Sequence, residues 1–181
     1  YVSVRIKGTL PYEAVPSTGL TLQRRYEVQN ATGKWTPATS FRTGDLVRIT
    51  LTCSGDAIAT SYLAVEDYLP STLEAINPRL SSQAAGLPDE AAEISPAFTH
   101  REYLSDRVRA FTGRRRHSEK KLSFTYYARA KRTGTATAPP ATAQLMYQPD
   151  IYTLTQPNTI TTQDSQPNRH TKPEKHLPGQ E

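Results

Sequence analysis

The stretch "VRITLTC", residues 47–53, alternates strictly between apolar and polar side chains. A β-strand points successive side chains to opposite faces, so this period of two produces one apolar and one polar face. The same alternation recurs at 2–7, 20–28 and 122–130. The apolar phase of the alternating strands predicts these buried core residues: Val4, Ile6, Val47, Ile49, Leu51, Leu63, Val65, Phe124 and Ala128. Strands with one apolar face are typical of antiparallel sheets that cover a core on one side and meet solvent on the other.

Turn sequences separate the alternating segments. Asn30–Gly33 and Thr43–Asp45 combine Asn, Thr, Asp and Gly in the way that tight turns require. Nothing in the chain alternates strand spacing with helical spacing, which argues against a parallel α/β sheet. About seven to nine short strands with this spacing predict an all-β fold, an antiparallel β-sandwich of immunoglobulin-like architecture.

Two segments depart from the strand pattern. Residues 81–99 are rich in small and acidic residues and are interrupted by proline, which predicts a long loop with a helical turn at Asp89–Glu93. Towards the C-terminus apolar residues almost disappear, which predicts a disordered segment. We therefore expect a sandwich domain over 1–153 and a polar, largely disordered tail over 154–181, with a short last strand near 159–162.

Length and composition limit the possible functions. The chain has 181 residues, a net charge of +5 and one cysteine, and its length suits one domain. The lone Cys53 excludes an internal disulfide and a zinc site of several thiolates, and its place in an alternating strand predicts a small core side chain. No run approaches the roughly 18 apolar residues that cross a bilayer. Because the chain opens on Tyr1, already in strand rhythm, we expect it to be the C-terminal piece of a longer protein.

Glu66 and Asp67 are the carboxylates that most resemble a catalytic pair. They are adjacent on a predicted strand, so their side chains point to opposite faces and cannot share one acid–base site. The sequence instead predicts a structural role for both. We expect Asp67 to bond to backbone amides where the strand ends, before Pro70 turns the chain.

No other residue pattern indicates chemistry. The four histidines, His100, His117, His170 and His176, lack the local spacing of metal ligands. The chain contains neither a phosphate loop nor a dinucleotide fingerprint. We therefore expect that the protein is not an enzyme, that it has no catalytic residue, and that it uses no cofactor and no metal.

A cluster of positive charge is the main candidate for binding an anionic partner. Arg114, Arg115 and Arg116 are followed by Lys120 and Lys121, and a basic surface of this kind can contact nucleic acid or an acidic polymer. The alternative is a hairpin tip whose charges keep the sheet edges soluble and unpaired. We favour the hairpin tip and do not expect nucleic acid to be a partner.

Four segments together resemble a known family. They are "LTLQRRYEV" at 20–28, "FRTGDLVRITLT" at 41–52, "LAVEDYLPSTLEAINPRL" at 63–80 and "FTYYARAKRTGTATAPPATAQLMYQP" at 124–149. In order and spacing they are similar to the C-terminal macroglobulin-like β-sandwich of bacterial alpha-2-macroglobulins. The resemblance covers most of the chain up to about residue 150. It implies that Glu66 and Asp67 close a core strand.

The resemblance also implies a function. The chain would be the C-terminal, non-catalytic domain of an alpha-2-macroglobulin-like endopeptidase inhibitor that traps proteases in the bacterial periplasm. Its partners would be the other domains of the parent inhibitor and, through the parent, proteases. The parent would meet the inner membrane only through an upstream lipid anchor. Cys53–Asp56 does not match the C-x-E-Q thioester motif, which in this family belongs to a separate helical domain.

The resemblance points to Met146 and Tyr147 as a candidate contact with that helical domain. Ordinary alternation predicts that one of the two fills the core, and the other is then free to cover a neighbouring domain. The rival hypothesis is a free-standing extracellular adhesion or ligand-binding sandwich that uses the basic hairpin tip.

Overall fold

A computed structural model describes residues 18–80, 82, 86–88, 97–113 and 119–165. These residues form thirteen β-strands and a short 3-10 helix, Asp56–Thr60. The strands outnumber the seven to nine that the turn spacing predicts. They are β1 Thr21–Gln29, β2 Trp35–Pro37, β3 Ser40–Arg42, β4 Leu46–Ser54, β5 Leu63–Tyr68, β6 Leu73–Ala75, β7 Phe98–Tyr103, β8 Arg107–Thr112, β9 Lys121–Ala130, β10 Gly134–Ala138, β11 Thr142–Leu145, β12 Gln148–Leu154 and β13 Asn158–Gln163.

The strands form three sheets. The first sheet has the order β2-β1-β4-β9-β6, the second has the order β12-β11-β5-β8-β7, and the small third sheet has the order β10-β13-β3. Neighbouring strands pair antiparallel except β13 and β3, which pair parallel. The two five-stranded sheets enclose one core, so the protein is an all-β sandwich as predicted.

Alternation along the strands identified the core. β4 alternates between half-buried and buried side chains along its whole length, because its apolar residues all point inward. The described residues that we predicted to be buried are all in the core, and they are Val47, Ile49, Leu51, Leu63, Val65, Phe124 and Ala128. Two further predicted core residues, Val4 and Ile6, lie outside the described residues, as does the predicted strand at 2–7.

The predicted loop at 81–99 ends earlier than its composition indicates. Phe98 already begins β7 and is buried, and its ring centroid lies 5.4 Å from that of Phe124 on the opposite sheet. A shift of register between Phe98 and His100 interrupts the alternation of β7, which is why the segment does not look like a strand. The predicted helical turn at Asp89–Glu93 lies outside the described residues.

The C-terminal strand belongs to the third sheet. β13 pairs with β10 on one side and with β3 on the other, and its Ile160 is buried in the core. β13 therefore lies beyond the boundary that we predicted at residue 153, and that boundary stays a prediction. Residues 166–181, which make up most of the predicted tail, lie outside the described residues.

A buried ion pair connects the two large sheets. On β5, Glu66 faces outward and Asp67 faces the core, as their adjacency predicts. Arg24 on β1 donates a 2.6 Å hydrogen bond from Nη1 to Oδ1 of Asp67, and the side chains are only 1% and 0% exposed. The hydroxyl of Tyr126 on β9 donates to Oδ2 of Asp67 over 2.8 Å. The predicted bonds from backbone amides to Asp67 are therefore wrong, since two side chains take their place.

Protonation in this cluster follows from its burial. Burial raises the pKa of the Asp67 carboxyl, and the Arg24 charge and the Tyr126 hydrogen bond act against that rise. Burial and the nearby carboxylate raise the pKa of Tyr126. The Tyr126 hydroxyl therefore stays protonated and remains a donor.

The same guanidinium also holds the third sheet. Arg24 donates to the carbonyl oxygens of Pro139, Ala138 and Gln156 at 2.8, 3.3 and 3.4 Å. Its Nη2 also donates to Oδ1 of Asn158 over 3.0 Å. Ala138 ends β10 and Asn158 begins β13. One side chain of the first sheet therefore bonds to groups of both other sheets.

We expect Arg24→Ala to lower the free energy of unfolding by about 3–5 kcal/mol, because it leaves the Asp67 carboxylate buried without its cation. Arg25→Ala is the matched control. Arg25 follows directly on β1, but its side chain is 59% exposed. The buried Glu27 that it contacts keeps a second cation, Arg48, at 2.8 Å, so the loss of Arg25 should cost about 1 kcal/mol or less. Urea denaturation of the two variants measures both values. Equal losses would show that Arg24 has no special role.

Candidate functional site

Met146 and Tyr147 form the turn between β11 and β12. Their side chains are 46% and 77% exposed, and Tyr147 is the most exposed large apolar side chain among the described residues. We expected alternation to bury one of the two, and this is wrong because both lie in the turn, beyond the end of the strand. The core positions of β11 are instead Ala143 and Leu145.

The base of this hairpin is firmly held. Leu145 is fully buried, and the backbone N–H of Met146 donates to the carbonyl oxygen of Tyr62 over 2.9 Å. The side-chain amide of Gln144 donates to the carbonyl oxygen of Pro149 over 2.9 Å and so closes the hairpin from within. The exposed side chains of Met146 and Tyr147 therefore stand on an anchored support.

Tyr62 lies beside the exposed Met146 and Tyr147, and the sequence did not predict this position. Its ring centroid lies 5.6 Å from that of Tyr147, with the two planes at 83°, which is an edge-to-face contact. Tyr62 lies just before β5 and is distant from Tyr147 in sequence, so only the pairing of β5 with β11 brings the rings together. Residues 57–65, which include Tyr62, and residues 133–149, which include Tyr147, contain no charged residue, and that signal was available in the sequence.

The basic segment is the other candidate binding surface that the sequence predicts. Arg114, Arg115 and Arg116 lie outside the described residues, so an anionic contact through them stays a prediction. Lys120, which follows them, accepts a hydrogen bond from the backbone of Gly55 at its carbonyl oxygen. Its Nζ lies 2.8 Å from Oδ1 of Asp56 in an exposed ion pair. The hydrogen bond that Lys120 Nζ donates to this carboxylate, together with the Lys120 charge, lowers the pKa of Asp56.

Glu66 belongs to a charge network on the outer face of the second sheet. Its Oε1 accepts a hydrogen bond from Nε of Arg109 over 2.8 Å and one from Nη1 of Arg107 over 3.0 Å. Partial burial raises the pKa of Glu66, but the hydrogen bonds and charges of Arg109 and Arg107 outweigh burial, so the net shift is downward. Glu66 and Asp67 thus titrate in separate environments, one at the surface and one in the core. Their arrangement does not form an acid–base pair.

The remaining candidates for chemistry are structural or isolated. Cys53 is buried on β4, and burial raises the pKa of its thiol to about 12, so the thiol is protonated at neutral pH. Among residues 18–80, 82, 86–88, 97–113 and 119–165, no group of three His, Cys, Asp or Glu could hold a metal ion. In the same part of the chain, no helix has the length and apolar character to cross a membrane.

The comparisons with known proteins agree with the fold. The family model "Bacterial Alpha-2-macroglobulin MG10 domain" matches residues 19–150. Native alpha-2-macroglobulin from Escherichia coli, solved from domain MG7 to the C-terminus, has a TM-score of 0.63 and 23% identity, over 83% of this chain and 25% of that chain. The Escherichia coli protein activated by porcine elastase has a TM-score of 0.64 and 24% identity, over 81% of this chain and 13% of that chain.

A Salmonella protein has the same fold. Salmonella alpha-2-macroglobulin reacted with methylamine has a TM-score of 0.60 and 20% identity, over 84% of this chain and 10% of that chain. At these identities the likeness establishes the fold alone. The chain spans a quarter or less of the length of these three solved structures. Among curated proteins, none matches the chain.

The Glu66 network predicts a pH-dependent contribution to stability. A folded-state pKa below the unfolded value of about 4.3 stabilises the protein at higher pH, and this contribution is lost as the pH falls through the folded pKa. Above pH 5, we expect the free energy of unfolding of the wild type to exceed that of Glu66→Gln by up to about 1 kcal/mol. The difference should shrink below about pH 4. Urea denaturation across this range measures it. A difference that grows on acidification would contradict the assignment, and about 1 M salt should weaken it at every pH.

Proposed function

Since the chain belongs to the family of bacterial alpha-2-macroglobulin MG10 domains, we propose that it serves as the non-catalytic C-terminal domain of an alpha-2-macroglobulin-like endopeptidase inhibitor. The observation that carries the proposal is the match of this family over residues 19–150. In this role the domain contributes a rigid surface to a larger assembly. The chemistry of the assembly belongs to other domains.

Two solved relatives support an encounter with proteases. One Escherichia coli alpha-2-macroglobulin was solved after activation by porcine elastase and another after activation by trypsin. We transfer this relation to the longer protein and propose that it traps proteases. The site of trapping that we propose is the bacterial periplasm, with the longer protein as an inner-membrane lipoprotein anchored upstream of this chain.

The polar clusters of the sandwich agree with a structural domain. Arg24 and Asp67 are buried and fully engaged with each other and with neighbouring strands. Glu66 is held by two arginines on an outer face. These charged groups stabilise the sandwich, and we assign none of them a reaction.

Met146 and Tyr147 are the residues that we propose to contact another domain of the longer protein. The flexible thioether of methionine adapts to an irregular surface, and the tyrosine ring covers a large area with few rotatable bonds. Both side chains stand on an anchored hairpin, so the main chain loses little freedom when they dock. This contact would cover the two side chains and join the sandwich to its neighbour.

Protease trapping has a direct test. The longer protein is mixed with elastase or trypsin, and the cleavage of a large protein substrate is compared with that of a small peptide substrate. Enclosure of the protease should suppress cleavage of the large substrate while the small one still enters. Equal loss of both activities would indicate inhibition at the protease active site, and no loss of either would contradict trapping.

The contact through Met146 and Tyr147 has its own test. Hydroxyl-radical footprinting compares their modification in this chain alone and in the longer protein. We expect both to react in the isolated chain and to be protected in the longer protein. Met146→Ser/Tyr147→Ser should lower the free energy of unfolding of the isolated chain by no more than about 1.5 kcal/mol, because both side chains are exposed and the ring contact with Tyr62 is the main interaction lost. Equal modification in the two proteins would reduce the hairpin to an ordinary surface turn.

A further inference from the structure

One end of the sandwich carries a surface without charge. The segments Ala57–Val65 and Thr133–Pro149 contain no Asp, Glu, Lys, Arg or His, although 22% of the chain is charged. The pairing of β5 with β11 places the two segments side by side, with Leu63 opposite Leu145. Tyr62, Met146 and Tyr147 therefore project from adjoining uncharged segments.

Interfaces between proteins have this composition at their centre. Their cores are depleted of charged residues and enriched in Tyr and Met, and a polar rim surrounds them. The charges that border the two segments in sequence are Asp56, which pairs with Lys120 over 2.8 Å, and the exposed Asp150 on β12. The carboxylate of Asp150, three residues after Tyr147, repels an anionic polymer and so disfavours one as the occupant of this surface.

Tyr62 is the aromatic neighbour of Tyr147. Tyr147 is 77% exposed in a turn, where a side chain without neighbours exchanges freely between rotamers. The half-buried ring of Tyr62 meets it edge to face at 5.6 Å. The Met146 N–H also bonds to the Tyr62 carbonyl oxygen, so the main chain below Tyr147 is tied to the same residue. A ring that is already oriented loses less side-chain entropy when it docks.

We propose that Tyr62 is a positioning residue of this surface, and that the surface docks on an uncharged apolar face of another folded domain of the same polypeptide. The proposal rests on the interdomain contact proposed above for Met146 and Tyr147. It extends that contact to a third residue and specifies the chemistry of the opposing face. Tyr62 acts by holding the Tyr147 ring in the orientation that the partner receives.

The first test uses this chain alone. NMR of the Tyr147 ring should show one preferred orientation in wild type, with ring-current shifts from Tyr62. Tyr62→Phe should keep these shifts, because the contact is made by the ring and does not need the hydroxyl. Tyr62→Ala should abolish them. The matched control is Tyr68→Ala, which removes a half-buried tyrosine from the other end of β5 and should leave the Tyr147 signals unchanged.

The second test uses the longer protein and footprints Tyr147. An aromatic pair of this kind contributes about a two- to tenfold change in equilibrium. Tyr62→Ala should therefore raise the modification of Tyr147 by about that factor, while Tyr62→Phe and Tyr68→Ala leave it at the wild-type level. High protection of Tyr147 in wild type with no change in Tyr62→Ala would overturn the role of Tyr62 and leave the interdomain contact standing. Low protection in wild type would overturn the contact and this inference together.

The identity of the partner is tested separately with the isolated chain. Protection of Tyr147 that rises with the concentration of this chain would assign the surface to a second copy. Protection by heparin that disappears at moderate salt would assign it to an anionic polymer. Either result would overturn the proposed partner, and we expect neither.

Discussion

The ion pair between Arg24 and Asp67 is the constraint on which the arrangement of the three sheets depends. A charge in the centre of a sandwich is tolerated only when its partners are in place, because desolvation of an unpaired charge is very costly. Asp67 is fully buried and accepts bonds from Arg24 and Tyr126. The remaining donors of Arg24 reach the ends of β10 and β13. Displacement of any one sheet would therefore leave a buried polar group without its partner, and the sheets are held in one relative position.

The dipeptide Glu66–Asp67 shows how one strand serves two surfaces. Asp67 points into the core and joins β5 to β1, while Glu66 points outward and joins β5 to Arg107 and Arg109 on β8. The inner bond orients the two sheets with respect to each other, and the outer bonds reinforce pairing within one sheet. Two neighbouring carboxylates thus have separate structural roles, and neither is available to assist the other in proton transfer.

The end of the sandwich that carries Tyr62, Met146 and Tyr147 differs from the core in how it uses charge. The core tolerates charge only in closed pairs, whereas this surface has no charge and exposes apolar side chains on a rigid base. A docking surface combines a rigid main chain with side chains that can adapt to the partner. Docking then loses little main-chain entropy, because the main chain is already ordered. A domain with such a surface can hold a neighbouring domain in place through packing alone.

The sequence by itself determined which face of each major strand is buried and which family the chain resembles. Alternation with a period of two is local, so residues such as Val47, Ile49 and Phe124 could be assigned to the core without knowledge of the fold. The tertiary structure alone decided the division into three sheets, the parallel pairing of β13 with β3, the partner of Asp67 and the meeting of Tyr62 with Tyr147. Each of these joins residues far apart in the chain. A periodic pattern reports the direction of a side chain and carries no information about which distant strand it will meet, because that choice depends on packing and charge compensation across the whole core.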